Sequence, residues 1–186
     1  MKRLSPTLAL VLGLVLGGLL TYGGLHLSGR LAPPAPPHPE LLMTLGQTLD
    51  AEHHRVDLLL DKGDVAGALA GLEGLRAATW PSAAEAGDTV VVLRHDLYGR
   101  LLRLRIDNPE VDGRSPSELL AIADEALGAG FAVGDVEGNA FTARLLGIRG
   151  ELLERLGRDD EALSAYEQAL DINRALLQDA LGQEGS

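Results

Sequence analysis

The residues of this chain best suited to chemistry are two adjacent histidines between carboxylates, Glu52-His53-His54 and then Asp57. His53 and Asp57 are four residues apart, so a helix would place both on one face, where an imidazole and a carboxylate could hold a metal ion. No third ligand follows at a suitable spacing, and the sequence contains no His-Glu-x-x-His motif. Solvated histidines on an amphipathic helix are the simpler interpretation, so we expect no metal site.

Two other segments resemble catalytic or cofactor-binding motifs only superficially. Residues 128–134, Gly-Ala-Gly-Phe-Ala-Val-Gly, follow a predicted helix instead of a strand, and their glycine spacing differs from that of a dinucleotide-binding loop. Ser115 and Ser117 stand at a predicted helix start and lack the glycines of a nucleophile elbow. Neither segment indicates an enzyme, and we expect no catalytic residue and no cofactor.

The charge of the chain limits the partners it can bind. Its 186 residues carry a net charge of −11, and Lys2, Arg3 and Arg30 give the first thirty residues +3, which leaves −14 for the other 156. A domain this acidic is repelled by phosphate backbones, so we expect no nucleic-acid binding. The absence of cysteine excludes disulfides, thioether-linked haem and a lipoprotein anchor.

An apolar run near the N-terminus predicts a single membrane anchor. Residues 7–27 follow Lys2 and Arg3 and contain no Asp, Glu, Lys or Arg. At about 1.5 Å per residue they make a helix about 31 Å long, which is enough to cross the hydrocarbon core. The run exceeds the apolar region of a cleavable signal, and Ser28-Gly29-Arg30 is a poor cleavage site. We therefore predict an uncleaved anchor over residues 1–30, with a cytoplasmic N-terminus and the acidic domain outside an inner membrane of bacterial type.

The anchor contains a packing motif and is followed by a linker. Gly13 and Gly17 match the close-packing pattern of membrane-helix dimers, although lipid-facing glycines without a dimer give the same pattern. Residues 31–39 form the predicted linker, and its proline-rich residues 32–39 are expected to extend over about 25 Å, at about 3.1 Å per residue. The remaining residues, 40–186, then form the domain.

Within this domain the apolar residues repeat with a helical period throughout, which predicts an all-α fold. Gly63 and Asp64 mark a turn and a helix cap, and Ser115-Pro116-Ser117-Glu118 combines a capping box with proline at the first helical position. An extended loop is expected at residues 108–114. Six helices paired in three hairpins are predicted at about residues 39–62, 64–80, 88–107, 115–127, 137–156 and 159–181.

A shift of 94 residues aligns two parts of the domain. The aligned pairs are Gly63 with Gly157, Ala68 with Ala162, Leu72 with Tyr166, and Leu75 with Ala169. Glycine suits the turn between two helices, and Gly150 allows the first helix of the last pair to approach the second closely. Ala162, Tyr166 and Ala169 also share one stripe of a helix. With this spacing of glycines, small residues and one aromatic residue, residues 143–176 resemble a tetratricopeptide repeat, and residues 49–82 resemble it more weakly.

This resemblance implies a short α-solenoid with an irregular middle. Arg149 and Arg174 occupy positions where the family usually has leucine and proline, and Val56 stands in the first unit where Gly150 stands in the last. The middle 60 residues exceed one standard repeat. Such repeats bury a continuous core between stacked helix pairs and build binding surfaces, so the resemblance implies protein binding and not catalysis.

In that family the first helix of each pair lines the concave, ligand-facing surface. The resemblance therefore implies a groove formed by Asp50, His53, Asp57 and Asp61 from the first unit and Arg144, Glu151, Glu154 and Arg155 from the last. Such a groove is mixed but mainly acidic and suits a basic or polar peptide segment. The alternative is that Glu151–Arg155 and Glu154–Arg158 are ordinary surface pairs of the i,i+4 type.

Two of the helices leave questions that the sequence does not answer. In the third, Arg94 and Arg105 lie near the apolar stripe, so they either reach solvent by their aliphatic stems or face the carboxylates of a partner. In the sixth, Leu176, Leu177 and Leu181 leave an apolar edge that either folds back on the domain or meets a second copy of the chain. A homodimer is therefore one of two open alternatives.

Taken together, these features predict a membrane-tethered protein-interaction module, an adaptor or scaffold displayed on the outer face of the inner membrane. The alternative is a small structural subunit that spans the membrane once within a larger complex. Such a subunit would use Gly13 and Gly17 in the bilayer and the third helix outside it.

Overall fold

The computed structural model describes residues 38–128 and 138–183, and the regular elements in these two ranges are all α-helices. The all-α prediction is confirmed for this part of the chain. Inside the same ranges, no helix is long and apolar enough to cross a membrane. The predicted anchor, Gly13 and Gly17, most of the linker and the glycine-rich residues 129–134 lie outside the described residues.

Six long helices follow the predicted boundaries to within a few residues. Two four-residue helices were not predicted; the second of them, which begins at Pro109, occupies the expected loop and ends at Gly113 with a φ of 68°. The helices are α1 Pro39–Asp61, α2 Val65–Ala77, α3 Ala83–Ala86, α4 Thr89–Asp107, α5 Pro109–Asp112, α6 Pro116–Gly128, α7 Ala140–Arg155 and α8 Asp159–Gln183.

The turns and caps that separate the helices use side chains suited to them. Gly63 and Gly157 have φ values of 76° and 70°, in the left-handed region that favours glycine. The Asp64 carboxylate accepts a hydrogen bond of 2.8 Å from the Gly67 amide and so caps α2. At the start of α6, Glu118 accepts from the Ser115 amide at 2.8 Å, which confirms the predicted capping box.

Helix α4 occupies the middle of the domain. It contacts α1 on one side and α7 on the other, and it also contacts α2 and α6; α1 packs against α2, and α6 against α7. The core between these helices consists of aliphatic side chains and includes Val56, Leu72, Leu101, Leu146 and Leu153, each at most 2% exposed. This arrangement makes α1, α4 and α7 neighbours, in that order.

Helices α7 and α8 pack closely because of a glycine. A Cβ atom added at Gly150 would lie 2.6 Å from Cε1 of Tyr166, nearer than real Cβ contacts come. Farther along the same pair of helices, Gly138 lies beside Ile172, so the two helices run antiparallel. On α8, Ala162, Ala165 and Ala169 are buried and belong to the same core.

Candidate protein-binding face

The polar side chains that the sequence assigned to a groove lie on α1 and α7, and α4 stands between them. Asp96, Arg100 and Arg103 of α4 each bond to a residue of α1 or α7. We call this surface the α1–α4–α7 face. Its defining residues are His53 and Asp57 of α1, Asp96, Arg100 and Arg103 of α4, and Arg144 and Glu151 of α7.

Between α1 and α4, the face is held by charges. The Arg100 guanidinium donates to the Asp57 carboxylate, and Nδ1 of His53 lies 3.9 Å from Oδ2 of Asp96. Burial, followed by the positive charge of Arg100, lowers the pKa of His53, and the nearby carboxylates oppose this shift only in part. His53 is therefore a neutral, half-buried group at neutral pH, wedged between two helices.

Between α4 and α7, the same alternation of charges continues. Nη2 of Arg144 lies 3.3 Å from Oδ1 of Asp96, and Nη2 of Arg103 lies 2.9 Å from Oε2 of Glu151. Glu151 also accepts from Arg155 at 2.6 Å, which is the i,i+4 pair that the sequence offered as an alternative to a groove. Each guanidinium of the face thus already has a carboxylate of the same chain beside it.

Three of the predicted groove residues do not take part in the alternating charge pairs between helices. Asp50 lies 3.5 Å from Nδ1 of the exposed His54, and Asp61 is exposed at the last residue of α1. Glu154 accepts a hydrogen bond of 3.2 Å from the Tyr166 hydroxyl, on the α8 side of α7. The expected Glu154–Arg158 pair does not form, because Arg158 follows the turn at Gly157 and pairs with Glu161 instead.

A shallow cleft opens in the face near the C-terminal end of α4. Its volume is about 260 Å³, and three guanidinium groups surround it. The lining residues are Leu60, Arg100, Arg103, Leu104, Asp107 and Arg144. The α4 residues were missing from the predicted groove, although the sequence carried a signal for them: Asp96, Arg100, Arg103 and Asp107 lie opposite the apolar stripe of that helix. With them included, the face carries alternating charges of both signs, and three guanidinium groups with their carboxylate partners are gathered at the cleft.

Arg105 is in neither of the two positions that its place beside the apolar stripe suggested, whereas Arg94 is partly exposed. Arg105 is 3% exposed and bonds to carboxylates of its own chain, Glu73 at 2.8 Å and Asp112. Cζ of Arg94 lies 5.3 Å from the centre of the Tyr98 ring, and its Nη2 lies 3.7 Å from Oε1 of Glu125. Arg105 does not reach solvent, which was one of the two interpretations. Acidic groups of α2 and α5 offset the free-energy cost of burying its charge.

A second cleft, larger and more apolar, lies beside the N-terminal half of α1. It has a volume of about 440 Å³ and is lined by side chains that include Leu41, Leu45, Trp80 and Glu85. The Trp80 indole donates a hydrogen bond of 3.0 Å to the Leu75 carbonyl, which fixes the ring at the wall of the cleft. Three threonines and Glu85 also line this cleft, so its walls are mainly apolar with a few polar side chains.

Where α4, α6 and α7 meet, His95 forms a buried polar contact. Nδ1 of His95 lies 2.7 Å from the Thr142 hydroxyl, which also accepts from Asn139 at 2.9 Å. Which of the two groups donates depends on the tautomer of the imidazole, because a hydroxyl can donate one hydrogen bond and accept two. Burial lowers the pKa of His95, and the charge of Arg94 acts in the same direction, against a hydrogen bond with the Ala126 backbone.

Because the pKa of folded His95 lies below the ordinary value of 6.5, the unfolded chain binds protons there that the folded chain does not. We expect the free energy of unfolding to be greatest above pH 6.5 and to fall as the pH is lowered through and below that value. His95→Leu should reduce this slope in urea unfolding between pH 5 and pH 7.5. Only part of the pH slope should disappear, because the pKa of His53 is also lowered and contributes a slope of the same sign. An unaltered slope in His95→Leu would contradict the assignment.

Comparison with known proteins gives no further guide to the face: no protein-family model, curated protein or solved structure matches this chain. Across residues 38–128 and 138–183, no three histidine, aspartate or glutamate side chains are grouped so that they could hold a metal ion. His53 and Asp57 do share a face of α1, but Asp57 bonds to Arg100 and His53 faces Asp96.

Proposed function

We propose that this chain is a membrane-tethered, tetratricopeptide-like module that binds a protein partner on its α1–α4–α7 face, outside an inner membrane of bacterial type. The observation that carries the proposal is the face itself. Three neighbouring helices present exposed and half-exposed charged side chains of both signs around an open cleft of about 260 Å³. Convergent polar groups on rigid helices suit recognition of a polar peptide segment.

The repeat interpretation draws support from the order of helix contacts. Helix α1 packs on α2, α4 on α6 and α7 on α8, and the first member of each pair adjoins the next along α1, α4 and α7. The close approach of Gly150 to Tyr166 and the left-handed turns at Gly63 and Gly157 agree with the same interpretation. Under it, the α1–α4–α7 face is the concave side of a three-pair solenoid.

The charges of the face favour a partner segment that carries both signs. Basic side chains would lie toward Asp50 and Asp61 on the exposed edge of α1, and an acidic group would lie toward Arg103 and Arg144 at the cleft. The predicted anchor and linker would tether the domain to the bilayer. A partner held at the same membrane would then meet the face at a raised local concentration.

A charge reversal on the α1 edge tests the proposal. Full-length chain in mild detergent, with Asp50→Lys and Asp61→Lys, should lose a partner that wild type captures from solubilised membranes, with affinity reduced at least about tenfold. A matched variant with Glu110→Lys and Asp179→Lys changes the same charge at exposed residues off the face and should retain the partner. Capture that both variants retain, or that both lose, with circular dichroism unchanged, would refute the face as the binding surface.

The second candidate, a structural subunit that contacts its neighbours through α4, has less support. Ten residues of α4 are buried, and the helix is covered by α1, α2, α6 and α7 of the same chain. Its apolar stripe is therefore not available to another subunit. That candidate would have to rest on the anchor instead.

A further inference from the structure

The outer side of α8 carries a row of exposed leucines. Leu163, Leu170 and Leu177 recur every seven residues and are 59%, 50% and 60% exposed. Seven residues return to within about 20° of the starting angle, so the three side chains form one ridge along the helix. Leu181, 63% exposed, extends it. We call these four residues the leucine row.

The leucine row belongs to the last helix of the described domain. Another side of α8, about 80–140° round the helix from Leu170, is buried through Ala162, Ala165 and Ala169, whereas the leucine row is exposed. From Leu163 to Leu181 the row is about 27 Å long, at about 1.5 Å per residue. Large apolar side chains aligned over that length are typical of a surface that another helix covers.

The spacing of the row suits a second copy that runs in the opposite direction. Leu163 and Leu177 stand at equal distances, about 10.5 Å, on either side of Leu170. A two-fold axis that passes beside Leu170 therefore sets Leu170 against Leu170 of the second copy, and Leu163 against Leu177. An isologous contact of this kind uses one surface twice and closes on itself.

The charges beside the row favour the antiparallel direction over the parallel one. Glu167 and Arg174 lie on the same edge of the row, within about 60° of Leu170 at about 100° per residue. The two-fold axis keeps that edge on one side, so Glu167 of each copy comes level with Arg174 of the other. A parallel pairing instead places this edge on opposite sides of the two copies, so Glu167 and Arg174 do not meet across the interface.

Both charged groups are accessible for such contacts. Glu167 is exposed, and Arg174 bonds to Asp171 at 3.2 Å, with 68% of the Arg174 side chain exposed and 74% of that of Asp171. Asp171 lies farther round the helix, about 100° from Leu170, so it flanks the contact without entering it. Arg174 can therefore lie between Asp171 of its own copy and Glu167 of the other.

We propose that the leucine row binds a second copy of this chain, with the two α8 helices antiparallel and Leu170 on the two-fold axis. The contact buries one ridge of side chains per copy. The buried surface area is therefore at the small end of the range for stable interfaces, and the dimer forms and dissociates reversibly. The row lies on α8, whereas the partner-binding face lies on α1, α4 and α7. Each dimer therefore presents two partner-binding faces.

Disulfide cross-linking tests the register, because the chain contains no cysteine of its own. In the full-length chain in detergent, Leu170→Cys should form a disulfide-linked dimer on mild oxidation, since the two Cβ atoms face each other across the axis. Leu163→Cys and Leu177→Cys should cross-link poorly when oxidised separately. A mixture of these two variants, one of them tagged, should give the heterodimer.

Three outcomes would overturn the proposal. Leu58, on α1, is 59% exposed and serves as a matched control; cross-linking of Leu58→Cys as efficient as that of Leu170→Cys would show mere proximity. Cross-linking of Leu163→Cys alone at the level of Leu170→Cys would indicate a parallel pair. In the third, the wild-type chain remains monomeric in sedimentation at high concentration and another protein binds the leucine row. That outcome would assign the row to the other protein.

A charge exchange provides an independent test of the same geometry. In the Leu170→Cys background, Glu167→Arg and Arg174→Glu should each reduce the rate of cross-linking several-fold, because each sets like charges together across the interface. The two changes combined should restore it, since opposite charges again face each other. Failure of the combined variant to recover, with helix content unchanged by circular dichroism, would refute the antiparallel register.

Discussion

Arg105→Met is expected to lower the free energy of unfolding by about 3–5 kcal/mol, the usual loss when one partner of a buried ion pair is removed. Arg105 is 3% exposed and lies between Glu73 of α2 and Asp112 of α5. The Asp112 side chain is 7% exposed, so its carboxylate would keep only the bond of 2.9 Å from Arg114. Urea unfolding of the full-length chain, followed by circular dichroism, measures the loss.

A neighbouring arginine offers a matched control. Arg103 is two residues away on the same helix, but its side chain is 46% exposed and pairs with Glu151. Arg103→Met should lower the free energy of unfolding by less than about 1 kcal/mol, because exposed pairs contribute little. Adding Asp112→Asn to Arg105→Met should recover part of the loss by removing the charge left behind. Equal losses in Arg105→Met and Arg103→Met would contradict the prediction that the buried ion pairs of Arg105 stabilise the fold more than the exposed pair of Arg103.

The buried charges around Arg105 also predict a response to acid. Burial opposes ionisation of Glu73, but the hydrogen bonds and charges of Arg76 and Arg105 outweigh it and lower its pKa below the ordinary value of 4.5. The stabilisation from Glu73 is therefore fully present above pH 4.5 and is lost as the pH falls through the lower pKa of the folded state. The penalty in Arg105→Met should shrink over that acid range.

Gly150→Ala and Gly147→Ala are expected to change stability in opposite directions, although both replace glycine inside α7. At Gly150 the new methyl group would lie 2.6 Å from the Tyr166 ring, so α7 and α8 must separate or the ring must move. Overpacking of this kind costs about 1–3 kcal/mol, which exceeds the gain of about 1 kcal/mol from alanine in a helix. We expect Gly150→Ala to be less stable than wild type.

At Gly147 a Cβ atom would meet nothing within 4 Å. Gly147→Ala should therefore gain about 0.5–1 kcal/mol from helix propensity alone. Thermal and urea unfolding of the two variants, measured side by side, give the difference directly. A Gly150→Ala chain as stable as Gly147→Ala would mean that the α7–α8 contact tolerates a wider separation than the structure shows.

The helices were predictable because their signals are local. Asp64, the box of Ser115 and Glu118, and the turn glycines each act within a few residues of their own position, and the apolar period needs no knowledge of the fold. The one-turn helix α5 was missed because Asn108-Pro109 also marks the start of a loop. Its short helix forms where Asp112 meets Arg105, and that contact arises only after α4 and α5 have packed together.

The site was harder to predict, since it depends on which helices become neighbours. His53, Asp57, Arg144 and Glu151 were assigned to a groove from their places in two helices far apart in the sequence. Three hairpins imply that α4 lies between α1 and α7, but the sequence does not show which of its side chains pair with the charges of those two helices. For the same reason, the destination of Arg105 was not foreseen: its carboxylate partners come from two other elements.

The alternation of charges across the α1–α4–α7 face has a consequence for selectivity. Arg103 already has Glu151 beside it, and Arg144 has Asp96, so a ligand must exchange these internal pairs instead of filling vacant cations. Added salt weakens the internal pairs and the ligand's pairs alike, so the affinity should depend on ionic strength less steeply than at an unpaired basic patch. A partner bound there as we propose would have to displace several internal pairs together, so a segment whose charges match several positions at once would be favoured over one that matches a single position.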